Sequence, residues 1–338
     1  MMRRMDLYLC FRQLSLIFLV LYCSSALFTS TIQFWPATAQ WAPIWYLLLF
    51  LPKWWAAALC VISTPALYFW PKRALLALLL CGSSQWLLYT GWRVHFERHE
   101  RDVDTLRIVT LNAGERLIDL AQLSAFVNQN AVDLIAFQEL AQDADLKQIF
   151  GQSEWFILRR GKLAVASRYP LGFETALRRS DITEGEVYGL VYMIFDVKLP
   201  HRSIRCMNVH LETPRSGLEP FLKRDFDLQK LRNNFRRRYH EASITANHAR
   251  DLEVSIILGD LNMPYESPLY QLYFDEYVNA FTQAGNGLGA TKYTRWHSLR
   301  IDHVLHTSLC ESLRASVGDD LGSDHRPFLV DLHFIDRH

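Results

Sequence analysis

Three long apolar runs fill most of the first 94 residues, and they limit what this chain can fold into more than any other feature of it. The first covers about 7–28 and is interrupted only by Arg12 and Gln13. The second covers about 44–69 with Pro52 and Lys53 inside it, and the third about 74–92. Crossing the hydrocarbon core of a bilayer takes roughly 20 residues of helix, so each run is long enough. A cleaved signal peptide would explain the first run but not the other two. Trp35, Trp41, Trp45, Trp70, Trp86 and Trp92 flank the runs, as interfacial aromatic belts do. The expectation is an all-α transmembrane region of about three helices over 1–94. That makes the chain a multi-pass integral protein of the inner or plasma membrane.

An excess of Lys and Arg in cytoplasmic loops sets orientation. Arg3, Arg4 and Arg12 precede or lie in the first run, and the turn at 70–73 carries Lys72 and Arg73. The connection 29–43 has no charged residue. The N-terminus and the 70–73 turn are therefore expected in the cytoplasm, and three spans leave the remainder on the outer, periplasmic side. A break at Pro52-Lys53 into two short spans would make the count even and reverse that placement. Residues 95–104 read as a charged connector that can extend the last helix by a turn or two.

Residues 105–338 read as an ordinary water-soluble domain. They carry 27 basic and 30 acidic residues, a net of about −3, against +1 for the whole chain. This is not the basic footprint of a general nucleic-acid binder. Cys10, Cys23, Cys60 and Cys81 lie in the apolar part and only Cys206 and Cys310 beyond it, with no CxxC pair, so neither a disulfide framework nor a cysteine metal knot is indicated.

Short β-rich runs recur through this domain, at 106–111, 132–137, 163–167, 187–197, 203–210, 254–258, 300–305 and 328–334. Helical spacing appears around Leu117, Leu120, Leu123 and Val127, over 143–150, and from about 219 to 250. Arg236-Arg237-Arg238 on the last of these reads as a solvated face, with a phosphate or headgroup patch as the lesser reading. Two sheets packed together with helices outside fit this order.

The run at 256–258 ends in Gly259-Asp260-Leu261-Asn262-Met263-Pro264. In an extended chain residues i and i+2 share a face, so Asp260 and Asn262 can reach one spot at a strand end. Pro264 stops the strand. An acid beside an amide can orient a water and donate to developing negative charge. The plain alternative is a strand followed by an Asx turn.

Other polar residues sit just past apolar runs: Asn112, Glu139, His210, Asp302, Asp324 and His325. If the strands align, these ends form one rim. Carboxylates with amides and imidazoles suit a hard cation such as Mg²⁺, whereas zinc would want more His and Cys. Taken singly, Glu139 is a solvated strand-end acid and His210 a core or surface histidine. Asp302 is less ordinary, because an acid inside an apolar strand needs a partner.

Six ordered segments carry a resemblance: Thr110-Leu111-Asn112, Phe137-Gln138-Glu139, Val209-His210-Leu211, Gly259-Asp260-Leu261-Asn262, the strand from Arg300 through Asp302 to Leu305, and Ser323-Asp324-His325. The chain resembles the endonuclease/exonuclease/phosphatase superfamily over about 105–336. The resemblance implies an α+β fold, a four-layer αββα sandwich of two mainly antiparallel sheets flanked by helices. It implies Glu139 as the principal metal ligand, with Asn112 and Asp324 near the metal or phosphate. His325 would be the general base for an attacking water, oriented by Asp302, and Asp260 would position the nucleophile or leaving group. Asn262 and His210 would hydrogen-bond the phosphoryl oxygens. The implied cofactor is Mg²⁺, with Mn²⁺ as a substitute. His210, rather than tyrosine, is similar to the deoxyribonuclease and sphingomyelinase branches.

The expected activity is hydrolysis of phosphate esters by an activated water, on nucleic acid or phospholipid. A sphingomyelinase-like phospholipid phosphodiesterase or phosphatase at the membrane surface is the alternative, and a non-catalytic binding module on the same fold is a third reading. No protein partner is inferred.

Overall fold

A computed structural model of the chain describes residues 2–96, 105–115, 118–142, 144–150, 155–183, 188–223 and 227–335, without the side chains of 2–4 and 221–222. The chain opens with helix α1 (Met2–Ser30), then α2 (Ala42–Phe50), α3 (Trp54–Ser63), α4 (Ala66–Phe69) and α5 (Pro71–Ser84), the last continued by a π-turn, Gln85–Tyr89. Legs α1 and α5 lie side by side and parallel, and α3–α4 runs antiparallel to both. At one end Tyr8 and Phe11 touch Phe69, and Arg12 lies over Trp70. At the other, Ser30 bonds Ser84 and Gln85 bonds Thr29.

Among the described residues the expected three spans reduce to one helix that qualifies by length and composition, or two if a bent pair counts as one span. Only the helix over Met5–Ser30 is by itself long and apolar enough to cross a membrane, and only 17% of its most apolar window is buried. The second run qualifies only as a pair, Ala42–Phe50 with Trp54–Phe69, bent by 85°. The third is a 14-residue helix before its π-turn, short of the roughly 20 needed. The bend falls at Pro52-Lys53, the break noted in the sequence. Lys53 Nζ caps it by donating to Tyr89 O at 2.7 Å, and Tyr89 Oη donates back to Leu48 O at 2.5 Å.

That bend turns α2 away from the bundle and onto the rest of the chain. Trp45, Tyr46 and Leu49 are fully buried in one cluster with Leu231, Phe235 and Ala242. The segment beyond Tyr89 does not prolong the helix as far as it is described. Arg93 pairs in extended form with Gly287, and His95 N donates to Asn286 Oδ1 at 2.7 Å. Residues 97–104 of the expected connector lie outside the described residues.

In chain order the remainder is β1 (Thr105–Asn112), α6 (Leu120–Gln129), β2 (Leu134–Gln138), α7 (Leu146–Phe150), β3 (Phe156–Arg160), β4 (Leu163–Ser167), β5 (Leu171–Arg178), β6 (Leu190–Lys198), β7 (Ser203–His210), α8 (Arg215–Leu222) and α9 (Leu228–Asp251). It continues with β8 (Ile256–Asp260), α10 (Pro268–Phe274), β9 (Val278–Asn279), α11 (Ala280–Ala284), β10 (Lys292–Tyr293), β11 (Ser298–Leu299), β12 (Asp302–His306), β13 (Cys310–Val317) and β14 (Phe328–Phe334). Asp119 and Asp227 cap α6 and α9 by accepting from the backbone amides that a helix start leaves unpaired.

Two six-stranded sheets form, ordered β13-β14-β1-β2-β4-β3 and β5-β6-β7-β8-β12-β9. Each is antiparallel except for one central parallel pair, β1 with β2 and β7 with β8. Between them lie Ile108, Leu134, Val165, Phe195, Cys206, Leu258, Val304 and Val330. Val109, Leu111, Ile135 and Phe137 on the outer face of the first sheet pack against Leu123, Phe126 and Phe150. Val191, Met207, Val209 and Ile257 on the outer face of the second pack on α9, α10 and α2. The four-layer αββα sandwich is as expected. What differs is that its last layer includes α2 from the apolar N-terminal third.

Candidate active site

The parallel pairs put four strand ends on one rim. Asn112 ends β1 and Glu139 follows β2, while His210 and Asp260 face each other in register at the ends of β7 and β8. Asp302 opens the antiparallel β12 directly opposite Asp260. Close approach here depends on Gly259, whose φ is +141° and where a Cβ would lie 2.1 Å from Val209 O. Any side chain would push β8 off β7 and separate Asp260 from His210. Below the rim, buried Gln138 bonds Thr110 and Asn208, and Asn208 reaches Phe137 O and Ala164 O, so the sheets are stitched beneath the site.

Glu139 adopts the left-handed conformation, φ +48°, uncommon for a residue with a Cβ. Its Oε1 accepts from Asn112 Nδ2 at 3.2 Å and lies 3.1 Å from His210 Nε2. Burial alone would raise its pKa. The hydrogen bond and charge of His210, with Asn112 and His325, bring it down to about 2. Asp260 is buried and goes the other way. Burial and the neighbouring Asp302 charge push it up to about 6, against the pull of His325, His210 and Asn112. Its Oδ2 accepts from Asn112 Nδ2 at 2.9 Å and its Oδ1 from Asn262 N at 2.7 Å.

His325 is buried with Nδ1 2.7 Å from Asp302 Oδ2, and its Nε2 lies 3.8 Å from Asp260 Oδ2. An ionised acid only accepts, so Nδ1 carries the proton and the Nε2 lone pair faces Asp260 when the ring is neutral. Burial lowers the imidazole pKa, but the Asp302 carboxylate more than offsets it and the net shift is upward. The other Asp302 oxygen is buried without a hydrogen-bond partner. Ser323 fixes this turn, donating to Asn112 O at 2.7 Å and accepting from His325 N.

Three of the expected site residues also have partners within the chain. Asn112 accepts from Gly114 N through its oxygen, and its nitrogen faces the acids as a donor. Asp324 is paired with Lys292 and lies outside both acid–histidine groups. Asn262 spends an Nδ2 hydrogen on Leu211 O at 2.8 Å, leaving the second for a ligand. Arg236-Arg237-Arg238 is not a uniform solvated face, because Arg238 is almost fully buried. Sequence reasoning missed the residues behind the rim. Arg179 grips Glu241 and donates to His210 O at 2.8 Å, and Glu241 accepts from Glu212 N.

Ligand atoms of Glu139, His210 and Asp260 lie within 4.8 Å of one another, as do those of Asp260, Asp302 and His325. In the second group the imidazole is already committed to Asp302, which suits proton transfer. In the first, two carboxylates converge on Asn112 Nδ2, with His210 Nε2 beside Glu139 and Asn262 N on Asp260. That excess of negative charge among oxygen donors fits a hard divalent cation held by Glu139 and Asp260.

His303, beside this rim, is buried and neutral. Its Nδ1 lies 3.0 Å from Asn279 Nδ2 and its Nε2 2.9 Å from Met263 O. Burial, then the Arg300 charge, lowers its pKa to about 4 from 6.5. The unfolded chain thus binds a proton that the folded chain refuses between those values. Stability is fully present above pH 6.5, falls as pH drops towards 4 and levels off below. The contribution is on the order of 3 kcal/mol. Denaturant titrations across pH 4–7 should show that slope, and His303→Gln should flatten it.

The sequence matches the Endonuclease/Exonuclease/phosphatase family profile over residues 109–325. No curated protein matches the sequence. Solved structures share the fold. An endonuclease/exonuclease/phosphatase from Beutenbergia cavernae is 18% identical with TM-score 0.51, covering 70% of this chain and 72% of that one. Truncated Caenorhabditis elegans TDP2 is 14% identical with TM-score 0.51, covering 69% and 100%. D. rerio TDP2 complexed with single strand DNA product is 15% identical with TM-score 0.50, covering 68% and 99%. With its acids and histidines gathered on one rim, the chain belongs to the Endonuclease/Exonuclease/phosphatase family and is a metal-dependent hydrolase of phosphoric esters.

Proposed function

We propose that this chain is a membrane-tethered, Mg²⁺-dependent phosphodiesterase in which His325 activates the attacking water. The observation that carries the reading is the Asp302–His325 pair aimed at Asp260 and set beside Glu139. His325 Nε2 takes the proton of the water, and Asp302 holds the tautomer and stabilises the imidazolium. Asp260 orients the water or the leaving oxygen. His210 and the free Asn262 hydrogen donate to phosphoryl oxygens as charge builds. Glu139 and Asp260 would hold the cation, with Asp324 steadied by Lys292 at the phosphate edge. When bound, the cation supplies Lewis-acid stabilisation of the phosphoryl group.

A cleft of about 700 Å³ runs from Glu139 and His210 along β5, past Arg160, Phe173, Arg178 and Tyr188. Its other acids have partners, Glu115 with Lys162 and Glu174 with Arg205. Arg160 stacks on Phe173, and no ion pair engages Arg178 among the described residues. This supports binding of an anionic ester. Arg178→Ser should raise KM about tenfold, from one lost charge-assisted hydrogen bond, and leave kcat within twofold. Equal KM for both proteins on an extended phosphodiester would count against the cleft as the substrate path.

Membrane attachment rests on α1 and on the exposed Leu75, Leu76, Leu79, Leu80, Val61 and Ile62 of its neighbours. Arg12 stacked on Trp70, near Lys72 and Arg73, gathers positive charge at the end of the bundle remote from the sandwich. By the positive-inside rule that end is cytoplasmic and the catalytic domain periplasmic or external. The tether favours a phospholipid or other surface phosphodiester. The single strand DNA product named for the D. rerio relative favours a nucleic acid. Full-length protein with Mg²⁺, offered phospholipid vesicles, single-stranded oligonucleotide and a chromogenic diester, separates these. Cleavage of lipid alone rules out the nuclease, and of oligonucleotide alone the phospholipid phosphodiesterase. No turnover of any with either Mg²⁺ or Mn²⁺ leaves only a binding module.

A further inference from the structure

Arg238 is 1% exposed and sits behind the rim with no carboxylate in salt-bridge contact among the described residues. Its Nη2 donates to Asn262 O at 2.6 Å and its Nε to Glu212 O at 3.1 Å. One guanidinium therefore ties the loop after β8 to the loop after β7. The first loop follows Asp260 and carries Asn262, and the second follows His210. The Asn262 backbone is in the left-handed region, φ +53°, and the Arg238 bond holds its carbonyl in that conformation. The planar fork of arginine suits two carbonyls at once, which a lysine cannot span.

The remaining walls of the socket come from far away in sequence. The guanidinium carbon lies 5.0 Å from the Tyr46 ring and 5.3 Å from the Phe50 ring. Both rings belong to α2, the helix that the Pro52 bend folds back from the membrane-facing bundle. An unpaired cation in a dry interior is costly, and aromatic faces are the partner offered here. The segment at 42–50 lies wholly outside the family match at 109–325.

We propose that Arg238 is a positioning residue for the phosphate-facing loops, and that Tyr46 and Phe50 complete its socket. The segment beside the anchor then belongs to the catalytic apparatus as well as to the tether. The inference rests on the hydrolase reading for its kinetic arm only.

The test uses the full-length chain in detergent, with a chromogenic phosphodiester and Mg²⁺, and amide hydrogen exchange at 211–213 and 261–264. Misplacement of site groups by about 1 Å costs on the order of 10²-fold. Arg238→Met should lower kcat about that much with KM within threefold, and Arg238→Lys should recover only part of it. Tyr46→Ala with Phe50→Ala should lower kcat about tenfold. All three should speed exchange in the two loops. Leu49→Ala, on the same helix and buried in the same apolar cluster, should lower the melting temperature without moving kcat or loop exchange. If Arg238→Met does not fold, the lysine and the double alanine variants carry the test. Unchanged kcat and unchanged loop exchange in folded variants overturn the positioning role. Loss with Arg238→Met but none with the double variant overturns the part assigned to α2. A wild-type protein without turnover counts against the hydrolase reading, and loop exchange still decides the role of Arg238.

Discussion

His325→Ala is expected to lower kcat by about 10³-fold while leaving KM and Mg²⁺ affinity within a fewfold of wild type. The size follows from what general acid–base catalysis contributes, typically 10²- to 10⁴-fold. The selectivity follows from geometry. His325 is committed to Asp302 through Nδ1, and only Nε2 faces the rim, so it is built to move a proton rather than hold a cation. Asp302→Asn should cost nearly as much, because an amide in place of the carboxylate no longer fixes the productive tautomer. Combining the two should cost little more than the worse of them, since they act as one unit. Full additivity would mean that Asp302 works apart from His325.

Glu139→Gln is the second large effect. Its carboxyl is held near pKa 2 by His210 and Asn112 against the upward push of burial, so it is ionised at every working pH. Glutamine keeps the shape and removes the charge. A bound cation supplies several kcal/mol of charge stabilisation, so losing its main anchor should cost about 10³-fold at sub-millimolar Mg²⁺. Raising Mg²⁺ should recover part of that loss, whereas His325→Ala should gain nothing. Isothermal titration with Mn²⁺ checks the same point without turnover. Wild-type affinity in Glu139→Gln would remove Glu139 from the metal site.

The sandwich was legible because its signals are local. Runs such as 106–111 and 132–137 are apolar, β-branched and closed by a polar residue, and they became β1 and β2. The outer strands β3, β5 and β13 escaped notice because they are half exposed and carry charge, as in Phe156–Arg160. Glu139, His210, Asp260, Asp302 and His325 stand out in the sequence by their places at strand ends, and the fold brings them together. Their roles depend on rotamers, which sequence does not carry. Asn112 turned its nitrogen inward because Gly114 N took its oxygen, and Asp324 met Lys292 from a hairpin 32 residues upstream.

The N-terminal third was the least legible part. Hydropathy counts apolar residues but not what buries them. Trp45, Tyr46 and Leu49 are as apolar as a span requires, yet they bury themselves on α9. Pro52 and Lys53 carried the only warning of the bend. Arg238 was hidden for the converse reason: three consecutive arginines look solvated, and helical geometry turns one of them inward.

The most direct measurement is hydrolysis of a chromogenic phosphodiester by full-length protein in Mg²⁺, in chelator, and with His325→Ala. Turnover in Mg²⁺ that is abolished by chelator and lowered about 10³-fold by the substitution is the expected result. Turnover that survives chelator, or a His325→Ala protein as active as wild type, would contradict a metal site at Glu139 served by a base at His325.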